Sequence, residues 1–146
     1  DELLRVLGFD SLTSYVWVHH GALGAFPETD YDEARDRYLA YWTQAEKEFS
    51  LPYHPNVTVG WDPSPRTVQS DVYLSAGYPF TPTLSNNTPD RLREALAVVK
   101  RRLDQSGGAQ KIVTLNAWNE WTEGSYLEPD TVYGMQYLEA VRSVFG

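Results

Sequence analysis

Apolar positions along this chain change their period several times, and each change marks an element. Leu12-Thr13-Ser14-Tyr15-Val16-Trp17-Val18 is dense in β-branched and aromatic residues and predicts a strand. From Tyr31 the spacing widens. Tyr31, Ala34, Tyr38, Tyr41, Trp42, Ala45 and Phe49 recur at helical intervals, and Asp30 with Glu33 reads as a capping box at the start. Pro52 and Pro55 punctuate the return, and Val57-Thr58-Val59 predicts a short strand ending at Gly60-Trp61-Asp62. Thr88 as N-cap with Pro89 and Asp90 behind it opens a second helix, striped by Leu92, Leu96, Val99 and Leu103 and closed by Gly107-Gly108. Ile112-Val113-Thr114-Leu115 predicts a buried strand, and Tyr133, Tyr137, Leu138, Val141 and Phe145 give a last helix its buried face.

Ahead of the first strand, Glu2 to Leu7 reads as the last turns of another helix, with Gly8 at the left-handed C′ position and Phe9 after it. The order is therefore a helix end, then strand, loop and helix three times over. Each loop that follows a strand is long and rich in polar and aromatic residues, and each return is shorter and plainer. The loop from Pro63 to about Asn87 runs roughly 25 residues, with prolines at 63, 65, 79 and 82, which marks it as a binding loop. That asymmetry predicts an α/β chain that is the C-terminal portion, about three βα units, of a (β/α)8 TIM barrel, with its site built from the loops after the strands. A doubly wound sheet shares the alternation, but no glycine-rich phosphate loop follows any strand. Three units cannot close a barrel. The expectation is one domain over 1–146 that lacks the N-terminal strands. Its partner would be the missing N-terminal half of the same barrel, covering an apolar edge left open here.

Composition narrows the ligand. The 146 residues carry a net charge of −8, which argues against nucleic acid and against anionic membrane surfaces. Five Trp and ten Tyr supply core and also sugar-stacking surface. With no cysteine there are neither disulfides nor thiolate metal sites, and no apolar run approaches a membrane span. Localisation stays open on these residues.

The candidate chemistry concentrates in Asn116-Ala117-Trp118-Asn119-Glu120-Trp121-Thr122-Glu123-Gly124-Ser125-Tyr126-Leu127-Glu128-Pro129-Asp130. Glu120 and Glu123 lie just past the last strand, flanked by Trp118 and Trp121. Glycoside cleavage needs one carboxyl to protonate the leaving oxygen and a second as nucleophile or base. The plainer alternative is a pair of glutamates that cap the next helix or pair with Arg. Asn116 and Asn119 suit the orientation of carboxylates or sugar hydroxyls, or simply a turn. Tyr126 and Glu128 join the candidate sugar-binding set, while Asp130 fits best as a cap of the final helix. His19-His20 end the first strand. Without further ligands at matched spacing they are no metal site, and one of the two is expected to bind substrate. Trp61 reads equally as core plug or stacking platform. Asp62 reads as a third acid or a hydroxyl acceptor, with Arg66 as its ion-pair partner. Tyr73, Tyr78 and Phe80 wall a sugar subsite or pack locally.

Trp118-Asn119-Glu120-Trp121-Thr122-Glu123-Gly124, followed by Leu127-Glu128-Pro129-Asp130, resembles the signature of the family-99-like glycoside hydrolases. That group includes endo-α-mannosidases and WbsX-type proteins described as glycosyltransferases. Gly60-Trp61-Asp62 with Pro65-Arg66, Gly8-Phe9-Asp10, and Tyr133-Gly134 through Tyr137-Leu138-Glu139 extend the resemblance over most of the chain. The resemblance implies a (β/α)8 barrel and a retaining hydrolase of oligo- or polysaccharides with neither metal nor cofactor. It also implies Glu120 as base on the sugar 2-hydroxyl and Glu123 as acid/base at the leaving oxygen. Two alternatives stand beside it: a glycosyltransferase of polysaccharide biosynthesis, and a carbohydrate-binding remnant without catalysis.

Overall fold

A computed structural model of the chain describes residues 2–67, 74–107 and 111–146. Its elements in chain order are α1 (Glu2–Val6), β1 (Leu12–Thr13), β2 (Glu28–Asp30), α2 (Tyr31–Glu48), β3 (Tyr53–His54), β4 (Asn56–Thr58), β5 (Thr83–Ser85), α3 (Pro89–Gln105), β6 (Thr114–Asn116), β7 (Asn119–Glu120), β8 (Ser125–Tyr126) and α4 (Gln136–Phe145). The architecture is mixed α/β. β1 runs parallel to β3, Leu12 opposite Tyr53, and β4 runs parallel to β6, Val57 opposite Leu115. Only Pro55 separates β3 from β4, and its carbonyl accepts the Thr114 N–H at 3.0 Å. One extended segment thus lies between two parallel neighbours, in chain order. α2 and α3 form the crossovers. Two small ribbons complete the set, β2 parallel to β5 and β7 antiparallel to β8.

The helices form where the apolar stripe predicts them. In α2, Tyr31, Ala34, Tyr38, Trp42 and Ala45 are buried in one row, and in α3 Leu92, Ala95, Leu96, Val99 and Leu103 do the same. Each fully buried large apolar side chain contributes about 1.5–3 kcal/mol. Asp30 caps α2 by accepting from Asp32 N at 2.9 Å. The reciprocal half of the capping box does not form, because Glu33 pairs with Arg37 at 2.8 Å. At the end of α1, Gly8 takes φ +78°, and Phe9 N–H reaches back to Leu4 O at 3.1 Å, the Schellman closure read from the sequence.

Four predicted boundaries move. The first strand stops at Thr13, and Trp17–His20 is a 3₁₀ turn. Trp17 is drawn beneath the sheet, where its N–H donates to Thr58 Oγ1 at 3.0 Å and its indole to Asn56 O at 2.9 Å. Those long-range bonds outweigh local strand propensity. The last parallel strand shifts to Thr114–Asn116 and leaves Ile112 exposed, with Val113 and Leu115 only half-buried along an open edge beside Phe145. The long loop holds β5 and a 3₁₀ turn at Ser64–Arg66. Asp130 caps a turn, accepting from Val132 N at 2.8 Å and from Tyr133 N, whereas α4 begins later, at Gln136. Tyr73 and Gly108 lie outside the described residues.

Candidate functional site

Two backbone turns past the parallel strands are locked together. Asp62 N–H donates to Glu123 O at 2.6 Å, Val59 N–H to Asn116 O at 2.6 Å, and Gly60 N–H to Ser125 Oγ at 3.3 Å. A Cβ on Gly60 would meet Gly124 O at 2.2 Å. Gly124 sits at φ +58°, and a Cβ there would meet Asp62 Cβ at 2.9 Å. The glycines of Gly60-Trp61-Asp62 and Glu123-Gly124 thus let two loops touch without side chains between them. Buried Asn116 braces the junction, since its Oδ1 and O both accept from Ser125 Oγ, at 2.9 and 2.8 Å.

The junction presents both glutamates to one arginine. Arg66 Nη2 lies 3.1 Å from Glu120 Oε2, and Nη1 lies 3.0 Å from Glu123 Oε1. Arg66 Nε donates to Thr122 Oγ1 at 2.9 Å, and Nη1 also donates to the Tyr78 hydroxyl. That hydroxyl donates on to Glu123 Oε1 at 3.2 Å. The arginine was expected to pair with Asp62. Asp62 Oδ1 instead accepts from Ser64 N at 3.0 Å and shapes the turn that carries Arg66. The bond to Tyr78, then Glu123 and Glu120, hold the guanidinium more firmly protonated than an ordinary arginine. The Glu123 side chain is 7% exposed against 37% for Glu120, and Glu123 Oε2 is buried without a hydrogen-bond partner among the described residues. Native proteins leave few buried polar atoms unsatisfied, so this one marks a strained or functional position.

Tyr15 is the neighbour that pattern reading missed. Burial, then the charges of Glu123 and Glu120, push its phenol pKa up. Buried Asn116 Nδ2 has no hydrogen-bond partner among the described residues. The signal was positional: Tyr15 follows the end of β1 much as Asp62 and Glu120 follow β4 and β6.

The other predicted residues divide. Trp121 stacks on Tyr126 at 3.7 Å between ring centroids, and its indole N–H donates to Glu128 Oε2 at 2.6 Å. With Trp118 and Trp121 both substantially exposed, this is an open aromatic platform on the same loop as the acids. Trp118 O anchors the loop by accepting from Leu127 N and Glu128 N, and exposed Asn119 pairs with Tyr126 in the ribbon. His19 lies near Tyr15, 6.1 Å between rings. His20 packs on α2 instead, its ring stacked on Tyr41 at 4.0 Å, and burial lowers its pKa. The two rings thus part company within the 3₁₀ turn, His19 towards Tyr15 and His20 onto α2. Trp61 is buried at 4% exposure and donates to Thr81 Oγ1 at 3.1 Å, which is its core-plug reading.

A model of the WbsX glycosyltransferase family matches residues 13–141. The chain belongs to this family. The match runs from the end of β1 into α4 and takes in every residue of the acid cluster. The chain is also 40% identical over 91 residues to the uncharacterized protein WxcX of Xanthomonas campestris pv. campestris, in strain B100 and in strain ATCC 33913. That match covers 61% of this chain and 12% of the relatives' length. No solved structure matches the chain. The WbsX family is carbohydrate-active and polysaccharide-related.

Proposed function

We propose that this chain is the C-terminal part, about three βα units, of a (β/α)8 barrel completed by N-terminal strands of a longer protein. On this reading Glu120 and Glu123 cleave glycosidic bonds of oligo- or polysaccharides, with retention and without a metal. Pairing with Arg66 is what the plainer reading expected too; the observation that supports catalysis is that both carboxyls meet beyond the ends of parallel strands while buried Glu123 Oε2 has no hydrogen-bond partner among the described residues. Carboxyls flanked by aromatic platforms match what glycoside cleavage requires. The family-99-like resemblance supplies the roles. Glu120 takes the proton of the sugar 2-hydroxyl, whose oxygen attacks the anomeric carbon and closes a 1,2-anhydro ring. Glu123 gives its proton to the departing oxygen as that bond breaks. Water then opens the ring, with Glu123 receiving its proton and the 2-oxygen regaining one from Glu120. Trp118, Trp121 and Tyr126 stack sugar faces, with Asn119, Glu128, Asp62 and His19 on hydroxyls.

The family's own description favours a second reading, transfer of a sugar from a donor during polysaccharide assembly. The test is to incubate the complete protein with reducing-end-labelled polysaccharide fragments and, separately, with radiolabelled nucleotide sugars. Release of shorter labelled fragments, lost in both Glu120→Gln and Glu123→Gln, is the expected result. Donor consumption without fragment release selects the transferase, and fragment release that survives both substitutions ends the two-glutamate assignment.

A further inference from the structure

Arg66 is held more tightly than a surface arginine would be. Its turn is fixed by Asp62 Oδ1 on Ser64 N, by Arg66 N–H on Pro63 O at 2.9 Å, and by Thr67 N–H on Ser64 O at 2.9 Å. Pro63 and Pro65 restrict the same turn. Its side chain spends Nε on Thr122, Nη1 on Glu123 and Tyr78, and Nη2 on Glu120, so each nitrogen has a different task. A lysine carries its three donors on one nitrogen and could not span the separate positions that the three guanidinium nitrogens reach. Thr122 lies between the two glutamates in sequence, so the bond from Nε fixes the guanidinium plane against the very turn that carries them.

Two carboxylates this close repel when both are ionised, and an unbraced pair would separate or share a proton. We propose that Arg66 is the positioning residue of the glutamate pair: one guanidinium, anchored on Thr122 and shared with Tyr78, sets the spacing and orientation of Glu120 and Glu123. The inference rests on the two-glutamate reading above. Arg66 reaches the reaction through the acids, by holding Glu120 Oε2 and Glu123 Oε1, while Glu123 Oε2 stays buried and without a hydrogen-bond partner among the described residues. The titratable groups that face this cluster are Glu120 and Glu123 from the last loop, Tyr78 from the long loop, and Tyr15 from the segment after β1.

The test needs no substrate. The complete protein is labelled with carboxyl-¹³C glutamate, the two resonances are assigned from E120Q and E123Q, and each is followed by NMR at one fixed pH. In Arg66→Gln both resonances should shift together, because one guanidinium contacts both carboxyls. Arg66→Lys should restore at most one of the two, because it keeps the charge and loses the bridge. If Arg66→Gln does not fold, Thr122→Val removes only the Nε anchor and should move both resonances the same way by less. A folded Arg66→Gln protein in which neither resonance moves, or only one does, overturns the bridging role. Turnover that survives E120Q and E123Q would instead sink the two-glutamate reading and leave the NMR result intact, so the two failures are distinguishable.

Discussion

Two polar clusters in this molecule solve opposite problems. Beneath α2, the hydroxyls of Tyr38, Tyr53 and Ser14 bond to one another, and Tyr38 accepts the Asn56 N–H at 2.8 Å. No charge sits in that network, and burial pushes the Tyr53 hydroxyl well above its ordinary pKa, so it stays neutral. Past the strand ends, Glu120, Glu123 and Arg66 stay together at a half-open surface. Buried neutral hydroxyls fix backbone at little electrostatic cost, because each is satisfied and none carries charge. The charged cluster reaches solvent through Glu120 and Arg66, and there one guanidinium bonds two carboxyl groups. On the proposed reading reactivity belongs to the second cluster, so substitutions should separate stability from activity.

The sharpest way to break that division is at the acids. Glu123→Gln and Glu120→Gln should each reduce cleavage by about 10²–10⁴-fold, the range that a positioned acid or base contributes, with little change in melting temperature. A fall in stability as large as the fall in activity would mean the charged cluster is structural after all. Gly124→Ala comes next, and it acts on both properties. Its φ of +58° and the 2.9 Å approach to Asp62 Cβ leave no room for a methyl group. The expected cost is about 1–3 kcal/mol in chemical denaturation, with roughly 10²-fold lost activity as Glu123 is displaced.

Tyr38→Phe tests the neutral cluster. It deprives the buried Asn56 N–H of its acceptor, which should cost about 1–3 kcal/mol by urea denaturation. Activity per folded molecule should be unchanged. If Tyr38→Phe lowers turnover while leaving stability alone, the separation of the two clusters fails.

Local signals in the sequence were read correctly where a residue answers to its near neighbours. Thr88 and Pro89 start α3, Gly8 closes α1, and the stripes of α2 and α3 face the core, because capping and burial are decided within a turn or two. Pattern failed where distant partners decide. Trp17 left its strand to bond Thr58 and Asn56, and Arg66 passed over nearby Asp62 for two glutamates more than fifty residues away in sequence. The acid pair itself was visible as a motif. Its brace was not, because no spacing rule links Arg66 to Thr122 or Tyr15 to Glu123. Trp61 shows the same limit: buried and exposed tryptophans look alike in a strand-end motif until Thr81 supplies the partner for the indole.

The smallest effect concerns a charge that belongs to neither cluster. Asp30 bonds Asn86 Nδ2 at 2.8 Å and Arg91 Nη1 at 2.7 Å, and these partners, Asn86 foremost, lower its pKa from 3.8 to about 2. A carboxylate with a depressed folded-state pKa adds stability above its unfolded value, and that stability is lost as pH falls through the folded one. The window is therefore from about pH 4 down to about pH 2. Arg91→Met should lower stability near pH 6, and the gap to wild type should close across that window. The side chain is 38% exposed, so solvent screening should hold the effect below about 1 kcal/mol. Salt should shrink it further, whereas the Tyr38→Phe penalty, being a matter of an unmatched buried donor, should be unmoved by salt. Equal salt sensitivity in the two variants would show that charge reaches the hydroxyl cluster after all.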